Sequence, residues 1–452
     1  MRLRKTITTI VATAILLAGW QLFAVIANQP ELIPSLPRLV RTLCEWLVSG
    51  SFYQSVGATI LRGVLGMSIS FVCAIGMAGL FARFEWVYEL FRPLLAIMRS
   101  IPVISFILLA LIFLNPESIP LMIAFLTMFP LLTENLTRGI LDLRPGLSIM
   151  ARQFHIKRSN VLFQIIYPQL KPFLYSGLAS AAGFGWRAII MGEVLSQCAF
   201  GIGSEMKRAQ NFIAVPELLA WTIVAVFISF FFDKGISKVA DITPKISFAN
   251  EDQTTPTPTL SVLDTKDISY QYGIQHFSHS FQKGIIYGIS APSGKGKTTL
   301  LNLIGGILLP TEGEIHPTRH FGIATIFQQP QLLPHLTAEE NIILPLSSFL
   351  TEEKARRIAQ KHLQEMEMEP FGNRYPKELS YGQQQRIAIA RALAYPSPLL
   401  LMDEPFKGLD EALSHRIIER IREKQMKEER IILFTSHNPD EIRLLADEVI
   451  YL

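Results

Sequence analysis

Ala291-Pro292-Ser293-Gly294-Lys295-Gly296-Lys297-Thr298-Thr299-Leu300 decides how this chain is read. An apolar run, Ile285-Ile286-Tyr287-Gly288-Ile289, leads into it, and Leu301-Asn302-Leu303-Ile304 leads out. The pattern predicts a strand entering a tight turn and a helix leaving it, which is the setting of a phosphate-cradling P-loop. Small residues such as Ser293, Gly294 and Gly296 let successive backbone N–H groups converge on an anion, with Lys295 and Thr299 beside them. The helix N-terminus adds its dipole. Lys297 is placed to reach the outer phosphates and Thr298 to ligate Mg²⁺. The first Gly of G-x-x-x-x-G-K-[ST] is Ala291 here, which requires a negative φ at that position. The alternative is a glycine-rich strand–helix turn that binds no nucleotide.

The rest of the chain is unevenly built around this stretch. It has 452 residues, 49% of them hydrophobic, including 29 Phe, which is too apolar for an ordinary soluble enzyme. Residues 1–259 carry 21 Lys+Arg against 14 Asp+Glu, whereas residues 260–452 carry 21 against 24. A basic apolar half joined to a mildly acidic polar half suggests a membrane part followed by a soluble part. The basic residues sit beside hydrophobic segments and form no polar patch, so no nucleic-acid partner is expected. Cys44, Cys73 and Cys198 lack metal-type spacing and read as small apolar fillers.

Six apolar segments approach the ~20 residues that cross a bilayer. They lie near 6–27, 55–82, 94–114, 118–136, 172–197 and 217–236. With the N-terminus inside, the inner segments hold 14 Lys+Arg against four outside (Arg38, Arg41, Lys207, Arg208). The positive-inside rule then puts both ends of this half, and any domain after it, in the cytoplasm. Arg99, Arg187 and Glu193 fall inside spans, where ionisable groups are costly. Lining of a solute pathway and bridging between helices are both open readings for them. Residues 243–259 are polar, Pro- and Thr-rich and aperiodic, which predicts a flexible linker spanning roughly 20–25 Å.

Beyond the linker, further motifs follow the P-loop in order. These are Phe327-Gln328-Gln329-Pro330, Leu379-Ser380-Tyr381-Gly382-Gln383, Leu399-Leu400-Leu401-Met402-Asp403-Glu404, Gly408-Leu409-Asp410 and Thr435-Ser436-His437. The run resembles an ABC-type ATPase: Q-loop, signature, acidic strand end, D-loop and switch His. The resemblance implies that Gln328 contacts Mg²⁺ or water, that Asp403 serves Mg²⁺ and that Glu404 is the general base. It also implies that Asp410 belongs to the D-loop, that His437 contacts the γ-phosphate and that Tyr272 stacks on adenine, with Tyr270 as runner-up. Ser380, Gly382 and Gln383 would complete the ATP pocket of a second copy, since one chain has one P-loop and one signature. Tyr381 stands where the signature has Gly. His276, His279, His316 and His320 read as surface residues.

The membrane half carries its own resemblance. The basic loop 137–171 contains Ile149-Met150-Ala151, His155 and Ile165-Ile166-Tyr167-Pro168. It resembles the coupling loop of bacterial ABC importer permeases, with the usual Glu missing and His155 at the Gly position. Gly183-Phe184-Gly185-Trp186-Arg187, Glu193 and Phe200-Gly201-Ile202-Gly203 resemble permeases of the nitrate/sulfonate/taurine group, whose relatives carry thiamine-precursor pyrimidines.

The expected fold is thus a six-helix membrane domain (1–242), the linker (243–259) and an α/β P-loop ATPase with a small helical subdomain (260–452). The expected function is ATP-driven import across the cytoplasmic membrane, as a homodimer served by an extracytoplasmic solute-binding protein. A half-exporter and a membrane-anchored ATPase that transports nothing are the alternatives. The eleven-residue loop 83–93 is too short for exporter-like cytoplasmic helices.

Overall fold

The computed structural model describes residues 2–240, 244–253, 260–271, 273–292, 294–317 and 322–452. Tyr272, Ser293, His320 and the linker positions 243 and 254–259 lie outside the described residues. The chain divides into two compact units, Met1–Leu143 with Gln169–Thr243 and Arg144–Pro168 with Pro244–Leu452.

The first unit is helical. Gly50–Arg83, Pro116–Leu141, Arg158–Ser196 and Val215–Lys238 are long and apolar enough to cross a membrane. The span expected near 94–114 is not one straight helix, because Glu85–Ser100 and Val103–Phe113 meet at 94°. Pro102 lacks the N–H that a continuous helix needs, and Ile101 before it is extended (φ −71°, ψ 130°). At the first expected span, the helix Arg2–Ala27 carries the apolar stretch Val11–Ala27.

Small residues set the packing of this unit. Along Gly50–Arg83 the buried positions include Ser55, Thr59, Gly63, Gly66, Ser70, Ala74 and Ala78, three or four residues apart. A stripe of small side chains lets two helix backbones approach closely. A Cβ on Gly66 would lie 2.6 Å from that of Ala124 in the helix Ile119–Leu141.

The second unit is built on strands. β1 (Val262–Tyr270), β2 (Ile274–Gln282) and β4 (Glu312–His316) form an antiparallel sheet. β3 (Ile286–Ser290), β5 (Ala324–Ile326), β6 (Leu399–Asp403), β7 (Ile431–Thr435) and β8 (Glu448–Tyr451) form a parallel one, in the order β5-β6-β7-β3-β8. Every residue of β6 and β7 is buried, as the continuous apolar runs of a parallel sheet covered on both faces require. The sheet lines up the C-terminal ends of β3, β6 and β7, where ligands of open α/β sheets bind. The helices Ala338–Leu346, Glu352–Glu365 and Tyr381–Ala394 form the helical part, and Thr337 caps the first through the expected capping box with Glu340.

The segment Arg144–Pro168, whose C-terminal part begins the long helix Arg158–Ser196, belongs to this second unit. The Gln153 side-chain amide donates to the Gly305 carbonyl (2.8 Å), and the Gln153 backbone carbonyl accepts from Ile323 N–H (2.8 Å). The Phe154 ring meets Tyr395 edge-on. His155, at the Gly position of the importer pattern, has φ +47°, which explains why Gly suits that position.

Residues 244–253, expected as free coil, are bonded along their length. Buried Asn160 donates to Ser247 O and Ser347 Oγ (2.8 Å each) and accepts from Ser247 N (2.8 Å). Gln164 donates to Pro244 O (3.0 Å), and Ala249 N donates to Ser347 O (3.1 Å). Asp252 accepts from the backbone N and hydroxyl of Thr351. Composition misleads here because Ile246 and Phe248 anchor the segment on the core. Their neighbours supply backbone polar groups to buried amides that would otherwise be left unpaired.

Candidate functional site

β3 ends in the turn that carries the P-loop. Gly294 and Gly296 have φ of +81° and +87°, and a Cβ on Gly296 would lie 2.7 Å from Gly273 O, so only Gly fits there. Ala291 is not among the residues with positive φ, so its side chain is tolerated. Lys297, the first residue of the helix Lys297–Ile304, is buried and turns its ammonium back onto Ala291 O (2.7 Å).

The ends of β6 and β7 meet the same point. Thr298 Oγ1 donates to Asp403 Oδ2 (2.9 Å), and Thr435 Oγ1 donates to Asp403 Oδ1 (2.8 Å). Thr435 also accepts from Glu404 N (3.0 Å), holding Glu404 at φ +47°, a strained backbone of the kind found at functional sites. His437 Nε2 lies 2.9 Å from Glu404 Oε1, and its Nδ1 lies 3.3 Å from Lys297 Nζ. An ammonium only donates, so Nδ1 accepts and the ring proton sits on Nε2, facing the carboxylate.

The two adjacent carboxyls are set apart by their surroundings. Burial pushes the Asp403 carboxyl up, opposed by the two Thr hydroxyls, and the neighbouring Glu404 charge adds to the rise. Burial also disfavours the Glu404 carboxylate, but bonds from Lys407 and the Gln328 amide outweigh it and hold Glu404 below the usual range. Asp403, the Thr298 hydroxyl and the Gln328 amide line one cavity and offer hard oxygen donors, beside Glu404 in its contact with Lys407. That donor set fits Mg²⁺. The sequence reading missed Thr435 and Lys407, although Thr435 stands beside the switch His.

Residues 274–407 match the family described as ABC transporter. Residues 68–233 match the binding-protein-dependent transport system inner membrane component. The chain is 34% identical over 205 residues to the thiamine import ATP-binding protein ThiQ of Yersinia pseudotuberculosis, covering 42% of this chain and 86% of that one. It is 34% identical over 201 residues to the uncharacterized ABC transporter ATP-binding protein MJ0796 of Methanocaldococcus jannaschii, covering 40% of this chain and 85% of that one. The chain belongs to the ABC transporter family.

Not every relative is spanned so fully. Against the Fe(3+) ions import ATP-binding protein FbpC of Rhizobium etli it is 35% identical over 189 residues, which is 40% of this chain and 54% of that one. The chain thus spans about half the length of the first curated relatives it matches.

In this ABC transporter the signature residues face other partners than the P-loop, among the described residues. Ser380 caps the helix Tyr381–Ala394, and Gln383 bonds back to Ser380 N (2.8 Å), a reciprocal capping box. A Cβ on Gly382 would lie 2.6 Å from Gly408 O. Asp410 caps the helix Glu411–Glu428 by accepting from Leu413 N (2.9 Å), which gives it a structural role in this chain.

The three membrane candidates separate. Arg99 pairs with Glu134, which also pairs with Arg138. Glu193 is fully buried and accepts from Arg62 (2.7 Å), Thr59 (2.9 Å) and Gly203 N (3.0 Å). Arg62 also meets Glu117 (2.6 Å) and Phe200 O (2.8 Å). Glu193 and Arg99 therefore bridge helices. Arg187 faces a cavity of about 710 Å³, with Trp186, Met191, Met206, Phe230 and Asp233 also in its wall. Arg62 was legible as an ionisable residue inside a span. Its partner Glu193 lies 131 positions away, and no spacing rule links them.

Proposed function

We propose that this chain is one half of an ATP-driven importer of the cytoplasmic membrane, working as a homodimer with an extracytoplasmic solute-binding protein. The observation that carries the reading is the loop Arg144–Pro168, which packs in one compact unit with the ATPase while its ends run into membrane-type helices. A membrane-anchored ATPase that transports nothing has no use for such a joint.

The site residues take these roles. Lys297 leaves Ala291 O for the outer phosphates of ATP, and Gly294, Lys295, Gly296 and Thr299 present the cradle. Thr298, Asp403 and Gln328 would hold Mg²⁺, which neutralises phosphate charge when bound. Glu404, kept ionised, accepts the proton of the attacking water, and His437 orients the carboxylate through Nε2–H. Ser380, Gly382 and Gln383 serve the nucleotide of the second copy.

The solute belongs to the nitrate/sulfonate/taurine class on the permease resemblance. The cavity beside Arg187 favours a second reading. Its wall is mostly apolar and aromatic and carries one cation and one anion, Arg187 and Asp233, which suits a small organic amphoteric solute such as a thiamine-precursor pyrimidine better than nitrate. Proteoliposomes with the binding protein test both readings. Uptake of a candidate solute only with ATP on the ATPase side is expected. Outward movement of a lipophilic dye would replace import with export.

A further inference from the structure

We infer that Tyr381 is a positioning residue that fastens the signature helix to the Q-loop and D-loop of its own chain, so that Gln328 is held in the cavity wall it shares with Thr298 and Asp403. The inference rests on the ATPase reading above.

Tyr381 occupies the place where the signature motif has Gly, and its side chain is engaged with its own chain. Its hydroxyl donates to the carbonyl of Gln328, 53 residues earlier, at 2.8 Å. Its ring lies against Gly408, where an added Cβ would sit 2.7 Å from Tyr381 Cδ1. Gly408 has φ +79°, so the D-loop turn and the ring contact both require Gly. The phenol is 41% exposed, so burial alone does not account for its placement.

Two loops thus converge on one side chain. Gln328 lines the same cavity as Thr298 and Asp403, while its backbone carbonyl is held by Tyr381. One residue therefore separates the phenol from the Thr298–Asp403 pair. The helix that begins at Tyr381 also carries Ser380, which serves the second copy's nucleotide. Tyr381 makes the end of the helix that reads one ATP a fixed neighbour of the site that cleaves the other. A Gly at 381 lacks both contacts, and a Phe lacks only the hydrogen bond.

The test uses the purified full chain in nanodiscs, comparing wild type, Tyr381→Phe and Tyr381→Gly. Hydrogen exchange of segment 327–331 is measured without nucleotide, together with kcat, KM and the Hill coefficient for MgATP. Tyr381→Phe should speed exchange in that segment, lower kcat about fivefold as for one lost hydrogen bond, and move the Hill coefficient toward one. KM and melting temperature should stay at wild-type values. Unchanged exchange overturns the tie. Faster exchange with wild-type kcat overturns the positioning role. A wild type that hydrolyses no ATP, with exchange still faster in the variant, breaks the ATPase reading and leaves the tie standing.

Discussion

Each unit of this molecule holds a buried cluster of ionisable groups, around Glu193 in one and around Asp403 in the other, and the two are built to different ends. In the membrane unit Glu193 has Arg62, Thr59 and Gly203 N as partners, and Arg62 in turn has Glu117 and Phe200 O. One guanidinium is shared between two carboxylates, and the hydrogen-bonding groups of the cluster are used within the chain. In the ATPase unit Lys297 rests on a loop carbonyl while two carboxylates stand side by side, one raised by burial and the other held ionised. The first cluster holds helices together. The second gathers two carboxylates, Lys297 and His437 at the end of a parallel sheet, where ligands of such sheets bind.

Removing the base should have the largest effect. Glu404→Gln is expected to lower ATP turnover by about 10²–10⁴-fold while nucleotide binding persists. Hydrolysis at the wild-type rate would take the reactive role away from this cluster. Next, Glu193→Ala leaves Arg62 without its buried partner and should destabilise the membrane unit by about 3–5 kcal/mol, read as a lower melting temperature in detergent. Replacing both partners, Arg62→Met with Glu193→Leu, should recover much of that loss. A Glu193→Ala protein that melts like wild type but changes solute selection would put Glu193 in the pathway and erase the contrast.

A smaller effect tests the joint between loop and ATPase. Asn160→Ala removes three hydrogen bonds around a buried amide and should cost about 1–3 kcal/mol. Limited proteolysis at Lys245 should speed up, and an unchanged cleavage rate would return residues 244–253 to free coil. The smallest is His155→Gly. It relieves a left-handed backbone worth about 1–2 kcal/mol and gives part of that back as chain entropy. A slight rise in melting temperature is expected, and a fall would show the His side chain contributing more than its backbone costs.

How much was legible follows the range of each interaction. The P-loop turn and the acidic end of β6 are local patterns, and strand, turn and helix lie where the sequence puts them. Fold class was legible for the same reason, since hydropathy period and run length are local. The partners that give those residues meaning were not. Thr435 joins Asp403 across two parallel strands, and Arg62 meets Glu193 across two helices. Composition also misjudged residues 244–253, whose polar character is used up by Asn160, Gln164 and Thr351. Likewise, an apolar stretch near 94–114 cannot announce a 94° break, although Ile101-Pro102 sits at it.

The bonded segment 244–253 has a further consequence for how the machine is assembled. When a membrane loop and its motor reside on separate polypeptides, they must meet at their cellular concentrations. Here the segment leaves the last membrane helix and docks on the ATPase beside the loop itself, so the encounter is intramolecular. The effective concentration of such a tethered pair reaches the order of millimolar. A few hydrogen bonds around Asn160 and Gln164 then suffice to keep the loop with the ATPase of its own chain.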